Sequence, residues 1–191
     1  THVELDVTNS SFIDILRTKV NLNDANNLVY CVGINEVSKA KDCSHSQLKK
    51  LLNFNLVPAI LIAIEFSKSR ETSSPSSILF VGSIWSSIGL PGRSIYGATK
   101  GALTGYAKHL SSELSPLGCN VNVLSPGFTD TPLTAKTIND PLIQRMLTRV
   151  STKKLLKTDD IAAHALSLLT PQNKCITGQE IFVDGGFISH A

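Results

Sequence analysis

The sequence predicts an α/β fold in which a parallel sheet is covered by helices on both faces. Three observations predict it. Short apolar runs of strand length alternate along the chain with longer segments of helical periodicity. The runs LVYCV at 28–32 and SILFVG at 77–82 are apolar at nearly every position rather than at every second one, the pattern of strands buried on both faces. Polar or turn residues stand where these runs end, at Asp6, Gly33, Ser83 and Pro126-Gly127, and sheets of this kind hold ligands outside the carboxyl ends of their strands.

Taken in order, HVELDV at 2–7 alternates and ends at Asp6, which predicts a short strand. Phe12, Ile13, Ile15 and Leu16 predict a short helix over 10–19, and 28–32 is the next strand, closed by Gly33. Leu48, Leu51, Leu52, Leu56, Ile60 and Ile64 fall near helical spacing and predict a long helix over 46–67. Pro58 lies inside it and should kink or break it. A strand over 77–82 and a helix over 94–115 follow, then a strand over 120–124 halted by Ser125-Pro126-Gly127. Residues 127–157 contain Pro132, Pro141 and a weak helical pattern from 141 to 149. Thr158-Asp159-Asp160 reads as an N-cap with an acidic first turn. Its helix runs to Leu169, Pro171 ends it, and 179–183 is the last strand. The 191 residues have the length of one domain.

Composition excludes several function classes. The chain is 42% hydrophobic and 17% charged, so it can build a core and is not disordered. Its net charge of +3 is scattered, without the Lys/Arg stripe of a nucleic-acid binder. No uninterrupted apolar run reaches the ~18 residues of a membrane span. Cys31, Cys43, Cys119 and Cys175 show no Cys-x-x-Cys spacing and the five histidines no His-Glu-x-x-His, so neither a disulfide framework nor a metal site is expected. Reduced cysteines favour the cytoplasm.

SIYGATKGALTG at 94–105 sets Tyr96 four residues before Lys100 among small residues. Residues i and i+4 share a helix face, so the phenol and the ammonium point the same way. A nearby ammonium favours the phenolate and lowers the tyrosine pKa, which suits an acid/base that gives its proton to a carbonyl or takes one from an alcohol. Alone, such a pair is ordinarily a tyrosine resting on a lysine stem. Here Ser83 ends a buried strand thirteen residues before Tyr96 and can face the same crevice.

The stretch from Gly82 to Lys100 resembles the active-site segment of the short-chain dehydrogenase/reductase family, classical type. The compact VDGG ending is similar to its 3-oxoacyl-[acyl-carrier-protein] reductases. LDVT at 5–8, LVYCVGI at 28–34, NFNL at 53–56, SPGFTDT at 125–131 and ITGQEIFVDGG at 176–186 resemble further segments of that family in the right order. The resemblance implies a Rossmann-like doubly wound sheet and an oxidoreductase that uses NAD or NADP. It implies Tyr96 as acid/base and Lys100 as the residue that lowers its pKa and bonds the nicotinamide ribose. Ser83 would polarise the carbonyl and Asn55 hold a water in a proton relay. Asp6 and Val7 would meet the adenine end, with Gly33, Pro126, Gly127, Thr129 and Thr131 along the cofactor beside Tyr96 and Lys100. The implied substrate is a ketone or secondary alcohol, carried or not by acyl carrier protein. The implied assembly is a homo-dimer or homo-tetramer through the helices at 46–67 and 94–115.

Three departures from the family pattern bear on these expectations. Tyr30-Cys31-Val32-Gly33 stands where the family has Asn-Asn-Ala-Gly, so cofactor contacts there fall to the backbone. Trp85 follows Ser83 by two residues where a small residue is usual, and either narrows the pocket or packs under the loop. No Gly-x-x-x-Gly-x-Gly pattern occurs, and the first strand resembles the family's third. The 191 residues therefore read as the later three-quarters of a reductase whose first βαβ portion lies outside them. By themselves they are expected to be poorly soluble and to lack dinucleotide binding. The competing reading is a catalytically silent, reductase-like scaffold that has lost dinucleotide binding.

Overall fold

The computed structural model describes residues 2–68, 70 and 75–190. A short helix, α1 (Phe12–Lys19), precedes the sheet. The sheet has four strands, β1 (Asn27–Tyr30), β2 (Ser76–Val81), β3 (Cys119–Pro126) and β4 (Glu180–Val183), side by side in that order and all parallel. Parallel neighbours require crossovers. α2 (His45–Asn55) and α3 (Val57–Lys68) join β1 to β2, and α4 (Ser94–Leu114) joins β2 to β3. α5 (Pro132–Ala135), α6 (Pro141–Leu147) and α7 (Thr158–Leu169) lie between β3 and β4.

The apolar strands divide their side chains between two helix layers by the period-2 alternation of a strand. Ile78 and Phe80 of β2, with Val121 and Val123 of β3, pack against Ala59, Ala63 and Phe66 of α3 and Leu103, Ala107 and Leu110 of α4. Leu79 and Leu124 point the other way and meet Leu168 of α7. Each such large side chain, taken from water, contributes about 1.5–3 kcal/mol. A third cluster joins residues that follow β2, β3 and β4, namely Ile84, Phe128 and Phe187, to Ile143 and Met146 of α6 and to Val150. It caps the carboxyl ends of the strands. Trp85 belongs to this cap, edge-on to Phe128 at 5.9 Å, which in turn meets Phe187 edge-on at 5.3 Å. The tryptophan thus packs under the loop.

Three expectations are corrected or refined. Residues 2–7 form no strand: the chain there is irregular and closes a turn in which Asn9 N–H donates to the Asp6 carbonyl at 3.1 Å. A strand needs a ladder partner, and among the described residues none pairs with this segment or with the outer edge of β1. The helix expected over 46–67 is two helices. Leu56 separates them at φ −123°, and Pro58 sits in the first turn of α3, where its missing N–H costs nothing. His45–Lys68 is apolar enough by composition to cross a membrane, yet its α3 half is core, with Ala59, Ala63 and Phe66 fully buried. Lys157, not Thr158, precedes α7, and the Asp160 carboxylate accepts from its N–H at 2.8 Å. The other strands and helices lie where expected, within two residues or so at each end.

Candidate active site

β2 ends at Val81, and Gly82-Ser83 turns the chain into a short 3-10 turn, Ile84–Ser86. The Ser83 oxygen accepts from Trp85 N–H at 3.3 Å and its carbonyl accepts from the Ser86 hydroxyl at 2.7 Å. The turn is therefore fixed from both sides. α4 lies directly on it: a Cβ at Gly97 would come 2.7 Å from the Trp85 carbonyl oxygen. Only glycine permits that approach, and it brings the neighbouring Tyr96 into hydrogen-bonding range of the Ser83 side chain. Both residues are 7% exposed.

One turn further along α4, Lys100 is 4% exposed. Its ammonium donates to the Val81 carbonyl at 2.7 Å and lies 6.0 Å from the centre of the Tyr96 ring. Gly33, just past β1, completes this corner, since a Cβ there would stand 3.3 Å from Lys100 Nζ and 3.5 Å from Asn55 Oδ1. Asn55, fully buried at the end of α2, ties the parts together. Its Oδ1 accepts from Ile34 N–H at 2.8 Å, and its Nδ2 donates to the Ile34 carbonyl at 3.0 Å and to Thr99 Oγ1 at 3.1 Å. The Thr99 hydroxyl donates to the Tyr96 carbonyl at 2.8 Å. Ser83, Tyr96, Lys100, Asn55 and Gly33 thus form one cluster at the carboxyl ends of β1 and β2.

The electrostatics differ from the expected lysine-lowered phenol. Burial pushes the Tyr96 pKa up, and the Ser83 hydrogen bond and the charge of Arg93 oppose that rise. Lys100 is itself brought down to about 8 by burial, against the field of Cys31. The lysine ammonium is bonded to a carbonyl, and the cation bearing on the phenol is Arg93.

The remaining predicted residues are divided. Pro126 ends β3 and Gly127 N–H donates to the Val183 carbonyl at 2.9 Å, so this pair sits between the ends of β3 and β4. Thr129 is buried, donates to the Gly127 carbonyl at 3.2 Å and bridges to Leu156. Thr131 caps α5, accepting from Thr134 N–H at 3.2 Å. Asp6 and Val7 do not join the cluster. The exposed Asp6 carboxylate accepts from Thr8 N–H at 2.9 Å and Thr8 Oγ1 at 2.7 Å, which holds its pKa below the ordinary value. A cleft at the opposite, amino end of the strands, lined by Ser76, Ser77, Gly118, Asn120 and Asn173, holds no acid/base pair.

Sequence reasoning missed three residues of the site. Thr99 links Asn55 to Tyr96. Glu180 accepts from both Ser86 and Ser125 (2.6 Å for the latter), joining the turns after β2 and β3. Arg93 is 5% exposed beside α4. Its one signal was a charged residue within GLPGRS, a segment otherwise made of turn residues.

A buried phenol beside a serine, with a buried ammonium on the same helix face, can polarise a carbonyl oxygen and exchange a proton with it. Comparison with known proteins identifies the family. The sequence model of the family described as Enoyl-(Acyl carrier protein) reductase matches residues 1–188. The 3-oxoacyl-[acyl-carrier-protein] reductase MabA of Mycobacterium tuberculosis is 28% identical over 96% of this chain and 75% of its own length. Carbonyl reductase family member 4 of Xenopus laevis is 31% identical over 90% of this chain and 70% of its own. The solved structure of a 4-hydroxyisoleucine dehydrogenase complexed with NADH superposes with a TM-score of 0.91 at 27% identity, covering 99% of this chain and 79% of that one. The parallel sheet, the family match and these relatives converge: the chain belongs to the short-chain dehydrogenase/reductase family of oxidoreductases, within the group that the matching model describes.

Proposed function

We propose that the protein is an NAD- or NADP-dependent oxidoreductase that reduces a 3-oxoacyl-type ketone, or oxidises the corresponding secondary alcohol, with Tyr96 as acid/base. The observation that carries this reading is the buried cluster of Ser83, Tyr96, Lys100 and Asn55 at the strand ends. Relatives named as 3-oxoacyl-[acyl-carrier-protein] reductases support the substrate class, acyl carrier protein being the form of carrier their names specify. A structural relative complexed with NADH supports the cofactor.

The residues present suit the nicotinamide end of such a cofactor. Among the described residues the Lys100 ammonium has one protein hydrogen bond, to Val81, and two further N–H donors for ribose hydroxyls. Gly33 leaves that corner open, and Pro126, Gly127, Thr129 and Thr131, after β3, are our assignment for further contacts along the cofactor. Asp6 and Val7 remain our assignment for the adenine end. The 191 residues contain no glycine-rich phosphate loop, so we assign no residue to the pyrophosphate. When bound, the nicotinamide supplies or accepts the hydride at the substrate carbon. In the reductive direction the Ser83 hydroxyl donates a hydrogen bond to the carbonyl oxygen, and Tyr96 passes its phenolic proton to that oxygen as the alcohol forms. The charge of Arg93 favours the phenolate left behind, and Lys100, on the same face, is our assignment for the nicotinamide ribose. Asn55 positions α4 through Thr99 and is our candidate to hold a relay water behind Lys100.

Tyr96→Phe tests the reading in the polypeptide as encoded, supplied with NADH or NADPH. Loss of the hydroxyl should lower kcat/KM by about 10²-fold or more and leave the melting temperature within a few degrees. Ketone reduction at near the wild-type rate would refute the role. We also assign the exposed apolar positions Leu48 of α2 and Val57, Leu61 and Ile64 of α3 to contact with a second copy, making a homo-dimer or homo-tetramer. Four free thiols suit a cytoplasmic enzyme.

A further inference from the structure

Glu180, the first residue of β4, carries a partly buried carboxylate. None of the ion pairs among the described residues includes it; its partners are two serines. One oxygen, Oε1, accepts from Ser86 in the turn after β2 and from Ser125 near the end of β3, at 2.6 Å for the latter. Ser125 is fully buried, and β2 leaves room for its hydroxyl. A Cβ at Gly82 would collide with Ser125 Oγ and stand 2.6 Å from Val123 Cγ1, so glycine keeps that space free. The single proton of the Ser86 hydroxyl lies between two acceptors. The Ser83 carbonyl, at 2.7 Å, also accepts from Ser86 N–H at 3.0 Å. Glu180 is the charged acceptor and makes the stronger bond, so it governs where the Ser86 side chain rests.

Ser86 closes the 3-10 turn that Ser83 caps, and α4 packs against the same turn. A Cβ would stand 2.7 Å from the Trp85 carbonyl oxygen at Gly97 and 3.7 Å from that of Ser86 at Gly101. We propose that Glu180 is a positioning residue for the reaction: through Ser86 it sets Ser83 against Tyr96, and through Ser125 it ties that turn to the Pro126-Gly127 segment after β3. In this role it touches neither substrate nor cofactor. The serine side chain is short, so a displaced turn displaces its Oγ directly, and a misplacement of about 1 Å at a reacting centre costs about 10²-fold in rate. The inference rests on the reading of Ser83 and Tyr96 as the reacting pair.

The test uses the polypeptide as encoded, with the N-acetylcysteamine thioester of acetoacetate as the ketone and NADPH or NADH as reductant. Glu180→Ala should lower kcat by about tenfold or more while KM stays near its wild-type value, the pattern of a displaced reacting group rather than a lost substrate contact. Glu180→Gln keeps an oxygen acceptor at the same reach and should restore most of the rate. Ser86→Ala should repeat the loss, and adding it to Glu180→Ala should cost little more, because both act through one bond. Wild-type kcat in Glu180→Ala, a glutamine variant as slow as the alanine variant, or losses that multiply in the double variant would overturn the proposal. Trp85 lies in the turn with its backbone N–H bonded to Ser83 and is the only tryptophan, so its emission reports the turn without turnover. If the wild-type protein reduces no ketone, the reading of Tyr96 fails and the emission still decides. A spectral shift common to Glu180→Ala and Ser86→Ala, and absent from Glu180→Gln, supports the positioning bond; unchanged emission in all three overturns it. Thermal melting separates a displaced turn from a lost fold, and where Glu180→Ala fails to fold, Ser86→Ala decides by the same two readouts.

Discussion

Lys100 shows how one side chain links stability to chemistry. Its ammonium is buried, and burial brings its pKa from 10.5 to about 8. Between about pH 8 and the ordinary lysine range, the unfolded chain therefore binds more protons than the folded one, and stability rises with pH across that window. Below about pH 8 both states are charged and the folded state bears the whole penalty, roughly 3 kcal/mol from the difference in pKa. Lys100→Met keeps the stem and removes the charge. By calorimetry the variant should be the more stable protein at pH 7, with a flat dependence between pH 8 and 10, and it should bind the dinucleotide weakly and reduce ketones slowly. A variant less stable at pH 7 would show that the bond to the Val81 carbonyl outweighs burial. The spacing that puts Tyr96 and Lys100 on one face was legible in the sequence. The direction of the tyrosine pKa was not, because it depends on how deeply α4 is buried and on where the ammonium and Arg93 come to rest. Neither quantity is local to the motif.

At the scale of elements, α4 answers why a helix carries so many small residues. Gly97 and Gly105 occupy the same helix for different reasons. A Cβ at position 97 meets a backbone carbonyl at 2.7 Å, whereas nothing lies within 4 Å of one at position 105. Gly97→Ala should therefore destabilise by about 1–3 kcal/mol through overpacking, and by moving Tyr96 off Ser83 it should reduce kcat more than KM. Gly105→Ala should stabilise the monomeric chain by about 0.5–1 kcal/mol, the ordinary gain of alanine over glycine inside a helix. Chemical denaturation of the two variants measures both. Stabilisation by Gly97→Ala would mean that the Trp85 turn yields freely and does not hold the site. The same scale explains which elements the sequence revealed. Apolar runs became β1 to β4, with β2 and β3 buried along nearly their whole length, since their patterning and their partners agree. HVELDV alternates as a strand should, but alternation is a property of the segment and pairing a property of its neighbours. Pro58 was readable because its effect is covalent and local.

At the scale of the whole molecule, two apolar surfaces among the described residues should associate in different ways. Leu61 and Ile64 are 38% and 40% exposed on a regular helix surface, a rigid patch that a second copy can meet by two-fold symmetry and so close. The outer edge of β1 is different. Val29 and Val32 are 45% and 40% exposed, and among the described residues the edge has no strand beside it. An unpaired, apolar strand edge templates further strands without closure. In the 191-residue chain, Ile64→Lys should therefore convert a discrete oligomer to monomer without changing the tendency to precipitate. Val29→Lys, placing a charge on the edge strand, should suppress precipitation during refolding and leave the oligomer intact. Its effect on stability should stay near 0.5 kcal/mol, as for an exposed position. Sedimentation velocity reads the first effect and light scattering during dilution from denaturant the second. If Val29→Lys instead dissolved the oligomer while Ile64→Lys left it whole, the second copy would be docking along the sheet edge, and the helical face would lose its assignment as the subunit contact.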